Sequence, residues 1–150
     1  MGRILCIDYG ERHTGIAVSD PTRTIAQARP TIHHSSEKEL LDVVKRLIGE
    51  QEVDEIVIGL PVSQSGKPSA RSEQVRAFAA ALAKATGLPV TPFDERFSTA
   101  RAIEVLEEVR GGRSLAPGKR PATGRDRKRR EAVDRIAATI ILEDFLSSRS

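Results

Sequence analysis

Acidic residues at three places in this 150-residue chain stand at the ends of apolar segments. Asp8 closes the run R-I-L-C-I-D at Arg3–Asp8, and Asp94 and Glu95 follow the apolar stretch Val90–Phe93. Asp134 stands beside Val133, at the border of the apolar stripe of the last helical segment. One carboxylate after a buried strand is ordinarily a turn cap. Carboxylates converging from three segments repel one another unless a cation neutralises them. One Cys and three His without ligand spacing leave oxygen ligands, which select Mg²⁺ or Mn²⁺ over Zn²⁺. Two such ions suit in-line attack of water on a phosphodiester, one activating the nucleophile and one stabilising the leaving oxygen. Neighbouring strand residues face opposite sides, so Asp94 and Glu95 are not both expected at the site. Glu131, three positions before Asp134, is a weaker fourth candidate.

The cations are as unevenly placed as the acids. The net charge is only +3, yet Arg110–Arg130 holds nine basic residues against Asp126 alone. That segment is therefore at +8 and the rest of the chain at −5. A mildly acidic body with a concentrated basic segment points to a polyanionic partner, since clustered Lys and Arg attract phosphates and release counterions. Lys119, Arg120, Arg125, Arg127, Lys128 and Arg130 are the expected backbone-binding residues of this segment. Arg12, in the turn after Asp8, is a second candidate, able to clamp a phosphate bidentately or to stand solvated. Arg96 can pair with a carboxylate or a phosphate. Ser98 and Thr99 read first as helix N-caps, whose exposed N–H groups also receive phosphate.

Positioning these groups requires a sheet with its apolar strands covered on both faces. Arg3–Asp8 is continuously apolar up to its carboxylate, the pattern of such a strand. Thr14–Ser19 follows after a turn at Gly10–Gly15 and predicts an antiparallel hairpin. A third strand is expected within Thr24–His33, near a sheet edge because of Pro30. Ser36 with Glu39 opens a helix that Gly49 should end. Strands at Glu55–Leu60 and Val90–Phe93 flank a helix over Ala70–Ala85, with Gly87 as its stop. Helices are further expected from Ser98 to Val109 and from near Arg127 to Leu146, the last with the stripe Val133, Ile136, Ala137, Ile140, Ile141 and Phe145. The order βββαβαβαα predicts one α/β domain with a mixed sheet, spanning 1–150. Glycines and prolines make the stretch at about 110–127 a flexible basic insertion. Right-handed crossovers would bring the C-terminal ends of the first, fourth and fifth strands to one edge, where sites sit in open α/β sheets.

Composition narrows the classes. Hydrophobic residues make up 39% and charged residues 30%, values of an ordinary globular domain rather than a disordered or collagen-like chain. No stretch approaches the roughly 20 apolar residues of a membrane span. The N-terminus lacks signal-peptide features, so the expected location is the cytoplasm, with no membrane partner. Cys6 reads as a buried strand residue, and His13, His33 and His34 as loop or edge positions. Tyr9 can stack a base or pack, while Asp20 before Pro21 reads as a turn residue.

Four segments together resemble a known family. D-Y-G-E-R-H-T-G-I-A-V-S-D at Asp8–Asp20, I-V-I-G-L-P-V at Ile56–Val62, D-E-R-F-S-T at Asp94–Thr99 and V-D-R-I-A-A-T-I-I-L at Val133–Leu142 are similar to the YqgF family. These are pre-16S rRNA nucleases, also called Holliday-junction-resolvase-like proteins, with an RNase H-like fold. The resemblance implies an acidic triad of Asp8, Glu95 and Asp134 as catalytic and metal-binding residues, with Glu95 preferred over Asp94. It implies a metal-dependent endonuclease maturing the 5′ end of pre-16S rRNA, acting on structured RNA or precursor particles as monomer or homodimer. The basic stretch Gly111–Gly124 is longer than the family pattern. Two other readings stand beside this one: a resolvase of branched DNA, and a non-catalytic RNA-binding assembly factor. An actin-like ATPase would need a second lobe that 150 residues do not supply.

Overall fold

The computed structural model describes residues 2–61, 69–94 and 124–149, leaving aside the side chains of 124–131 and 134. Strands β1 (Arg3–Asp8) and β2 (His13–Ser19) pair antiparallel, with Leu5 opposite Val18 and Asp8 opposite Gly15. β3 (Ala26–His33) adds antiparallel to β2. β4 (Val53–Leu60) lies parallel to β1, and β5 (Val90–Asp94) parallel to β4. The spatial order is β3-β2-β1-β4-β5, so the expected mixed sheet forms with β1 at its centre.

Alternation along each strand divides the interior in two. Leu5 and Ile7 of β1 join Ile16, Val18, Ile56 and Ile58 under helices α1 (Glu37–Glu50) and α2 (Ala70–Thr86). Ile4 and Cys6 face the other way, packing with Ala17 and Val57 against α3 (Gly124–Arg149). Residues 4 to 7 are thus almost wholly excluded from solvent, which is why that segment tolerates no polar position. Cys6 is buried as its neighbours predict.

Local chemistry sets the helix ends, once differently from expectation. The Ser36 hydroxyl accepts from the Glu39 N–H, while the Glu39 carboxylate accepts from Ser35 N and Oγ. Those bonds, the backbone one first, lower the Glu39 pKa below its ordinary value. α1 runs through Gly49 to Glu50, because a glycine lacking close neighbours is tolerated in a helix at modest cost. The chain turns instead at Glu52, whose φ is 53°. α2 begins at its Ser69–Ser72 capping box and stops at Gly87, which adopts φ 72° as the sequence predicts.

α3 departs more. It begins at Gly124 rather than near Arg127, so Arg125 joins Arg127, Lys128 and Arg130 in its first turns instead of lying in the insertion. Its sheet-facing residues are Ala138, Ile141, Leu142 and Phe145. Val133, Ile136, Ala137 and Ile140 form a separate cluster, so the expected stripe merged two faces of the helix. The far end of α3 is anchored by charge. Buried Glu55, at the N-terminal end of β4, accepts from Arg23 and Arg149, and the Arg149 guanidinium lies 4.4 Å from the Phe145 ring centroid. The expected helix over Ser98–Val109 lies outside the described residues. No described helix is long and apolar enough to cross a membrane.

Ile141 is fully buried between α3 and the sheet. Ile141→Ala should cost about 2–5 kcal/mol, the range for truncating a buried aliphatic side chain. Denaturant unfolding measures this; a loss under about 1 kcal/mol would mean that α3 does not cover the sheet in solution.

Candidate active site

Three strands run in one direction and end together. Parallel register sets Ile7 beside Ile58, and Gly59 beside Phe93, so β1, β4 and β5 end at the same edge. Asp8 is half-buried there, opposite Gly15. Two-residue alternation puts it on the side of Ile4 and Cys6, the side covered by α3. Asp94 is paired in register with Leu60, whose side chain belongs to the α1–α2 core. It therefore stands on the opposite face from Asp8.

α3 approaches this edge from below. Its last turn is held at Glu55, and Ala138, Ile141, Leu142 and Phe145 pack over Ile4, Cys6, Ala17 and Val57. Position 134 falls on the same helical line as Ala138, Ile141 and Phe145, one turn beyond the buried part. Glu95, Arg96, Ser98, Thr99, Lys119 and Arg120 lie outside the described residues, as do the side chains of Arg125, Arg127, Lys128, Arg130, Glu131 and Asp134.

The turn after Asp8 is held from several sides. Arg71 of α2 donates to the Tyr9 carbonyl at 2.8 Å. The Tyr9 ring stacks on Phe78, with centroids 4.7 Å apart, so packing rather than base stacking occupies it. Burial raises its hydroxyl pKa, helped by Glu37 and Glu11 and opposed by Arg71. Gly10 approaches the His13 carbonyl so closely that a Cβ would sit 2.1 Å from that oxygen. Fully buried Thr14 meets Gly10 through its hydroxyl, and the same oxygen lies 2.8 Å from His34 Nε2. The His34 backbone N–H donates to the Arg12 carbonyl at 2.9 Å. Arg12 itself is exposed on this turn, where a phosphate can reach it.

Sequence reasoning treated His34 as an edge residue and missed its place in the turn. The only available signal was the β2–β3 register, which pairs His13 with His33 and so carries residue 34 beside Arg12. His13 and His33 meet edge to face at 4.7 Å. Asp20 is the expected turn residue: it accepts from Thr22, Thr24 and Ile25, and these bonds, that from the Thr22 hydroxyl first, hold its pKa well below the usual carboxylate range.

The donor chemistry fits a hard divalent cation. Asp8 offers carboxylate oxygens at the edge, Cys6 is sealed in the core two residues earlier, and His34 is engaged by Thr14. Among the described residues no three His, Cys, Asp or Glu side chains form a metal-sized group.

A family model described as RuvX, Holliday junction resolvase, matches residues 2–148. The chain belongs to the RuvX family. A relative from Koribacter versatilis is 40% identical over 148 residues, covering 99% of this chain and 88% of its own, and is named "Putative pre-16S rRNA nuclease". One of the same name from Halothermothrix orenii is 37% identical over 145 residues, covering 97% and 94%. Among solved structures, Thermus thermophilus RuvC in complex with a Holliday junction substrate superposes with a TM-score of 0.57 at 16% identity, over 99% of this chain and 96% of its own. The fowlpox virus resolvase with junction DNA gives 0.56 at 13%, over 98% of both. These likenesses establish the RNase H-like fold and bear out the family resemblance drawn from the four motifs.

Burial holds the His34 pKa below its ordinary value of 6.5, with Glu39 opposing and His13 and His33 reinforcing. The unfolded chain therefore takes up a proton that the fold resists, and His34 contributes stability above about pH 6.5 that is lost as pH falls below it. Unfolding free energies measured from about pH 7.5 to 5.5 should decline for the wild type and flatten in His34→Asn. Parallel profiles would show that His34 does not govern this interval.

Proposed function

We propose that this protein, a nuclease of the RuvX family, hydrolyses phosphodiester bonds of the 16S rRNA precursor with Mg²⁺ or Mn²⁺. Asp8, Glu95 and Asp134 would hold the metal, two ions being the arrangement that three carboxylates suit. The observation that carries this reading is Asp8, half-buried at the end of the central strand on the sheet face that α3 covers. The bound metal supplies an activated water and stabilisation of the leaving oxygen. The protein supplies position. Asp8 is fixed by the ladder on both sides of β1, and the cross-tied turn presents Arg12 to a neighbouring phosphate. The basic turns at the start of α3, with Lys119 and Arg120, draw in the nucleic-acid backbone, while Arg96, Ser98 and Thr99 complete the phosphate contacts.

The naming of the relatives favours pre-16S rRNA as substrate; our reading has it cut in the cytoplasm, free or within precursor particles, which does not require a dimer. The family's description favours a second substrate, the four-way DNA junction, for which a homodimer would match the junction's symmetry. Purified protein with Mg²⁺ or Mn²⁺, challenged with matched pre-16S RNA, single-stranded DNA and junction DNA, decides between them. RNA should be cleaved in preference; cleavage of the junction alone would select the second reading, and binding without cleavage the assembly-factor reading.

Asp8→Asn should lower cleavage roughly 100-fold or more, the scale set by a single electrostatic catalytic group. Its thermal midpoint should be equal or higher, because one of several clustered negative charges is removed. Cleavage near the wild-type rate would remove Asp8 from the chemistry. Neutralising Lys119, Arg120, Arg125 and Arg127 together should flatten the salt dependence of RNA binding by a log–log slope of about 0.7–0.9 for each phosphate no longer neutralised. An unchanged slope would exclude this segment from the interface.

A further inference from the structure

α2 lies on the sheet face opposite α3, and its buried line ends at the same edge. Val75, Phe78 and Leu82 are buried along α2, and Arg71 continues that line by one turn, past the ends of the strands. Arg71 is exposed, and its Nη2 donates to the carbonyl of Tyr9, the residue after Asp8. A guanidinium carries five N–H donors in a planar fork, so a single bond to Tyr9 fixes its orientation and leaves other donors for a ligand.

The position is electrostatically awkward for a cation. The first turn of a helix presents unpaired N–H groups and the positive end of its dipole, which favour acidic side chains. Glu37 and Glu11 bear on the same Tyr9 ring, so Arg71 also offsets two acids close to the edge. The tethered guanidinium and Arg12 flank one four-residue turn that cannot give way, because Gly10 has no room beside His13 and Thr14 closes it from below. A guanidinium tethered to the residue after Asp8, at a helix end that favours anions, has donors left to draw one in.

We propose that Arg71 is a substrate-positioning residue that binds a backbone phosphate next to the scissile one. The nucleic-acid strand then crosses the sheet edge from the basic start of α3 to the first turn of α2. The placement of the scissile phosphate rests on the proposed nuclease reading, whereas the anion contact can be measured without it.

The test uses a fluorescent stem–loop RNA with single-stranded flanks, titrated with full-length protein in EDTA across a salt series. Arg71→Gln keeps an amide donor for the Tyr9 carbonyl and removes the charge, while Arg71→Lys keeps the charge. Arg71→Gln should flatten the log–log salt slope by about 0.7–0.9, and Arg71→Lys should restore it. In cleavage assays with Mg²⁺, Arg71→Gln should raise KM several-fold and leave kcat within about twofold, as loss of uniform substrate binding requires. A wild-type slope in Arg71→Gln, or a slope as shallow in Arg71→Lys as in Arg71→Gln, would overturn the proposal and leave Arg71 as a structural tether. Wild-type protein that cleaves none of the substrates would sink the nuclease reading while the slopes still decide on Arg71.

Discussion

Parallel pairing of β4 with β1 is the constraint from which the candidate site follows. It registers Ile7 with Ile58 and, through β5, Gly59 with Phe93, so three strand ends reach one edge from segments far apart in the chain. Such pairing needs a crossover helix and covered faces, and both are supplied. α1 and α2 cover one side, and α3 the other. Asp8 is the first position along β1 at which the apolar enclosure opens. Its carboxylate is therefore held by a strand that cannot move without breaking ladders on both sides.

The apolar runs made the strands legible, because a strand covered on both faces has few alternatives to solid hydrophobicity. The stop of α2 was equally plain, since Gly87 sits in a left-handed conformation that other residues avoid. Gly49 misled for the converse reason: a glycine in an open helical position has no conformational duty. The stripe of α3 misled because its apolar residues surround more than one face, and only the sheet decides which of them pack on it. Asp8 could be read as a candidate from its place after an apolar run. The preference for Glu95 over Asp94 comes from family resemblance, and Glu95 lies outside the described residues.

The polar ties of the turn were not legible at all. Thr14, His34, Gly10 and Arg71 belong to four segments, and nothing in their spacing couples them before the hairpin register is known. Their arrangement nonetheless has a cost that identifies it as a constraint. The Thr14 hydroxyl and the His34 ring are buried, and His34 Nδ1 lacks a hydrogen-bond partner among the described residues. An unpaired buried polar atom disfavours the fold, by about 1–3 kcal/mol when such a group is fully desolvated. It persists where the surrounding structure over-determines it, here through the Gly10 contact, the Arg12 carbonyl and the β2–β3 ladder.

Rigidity of the turn and anchoring of α3 serve the same end from opposite faces. Glu55 binds Arg149 and Arg23 at the far end of the sheet, where burial makes an unpaired carboxylate costly. That pins the helix at its C-terminal end, and Phe145, Ile141 and Ala138 lay it on the face of β1 that carries Ile4 and Cys6. In the proposed site a mixed charge pattern arises at one edge. Acidic positions extend from β1 and the α3 line, and guanidinium groups extend from the turn and from α2. Carboxylates alone would repel a polyanion, and cations alone would bind it without a centre for hydrolysis. Setting the two kinds of charge on opposed, independently braced elements would let the same edge attract a phosphate backbone and still hold its own negative charges together.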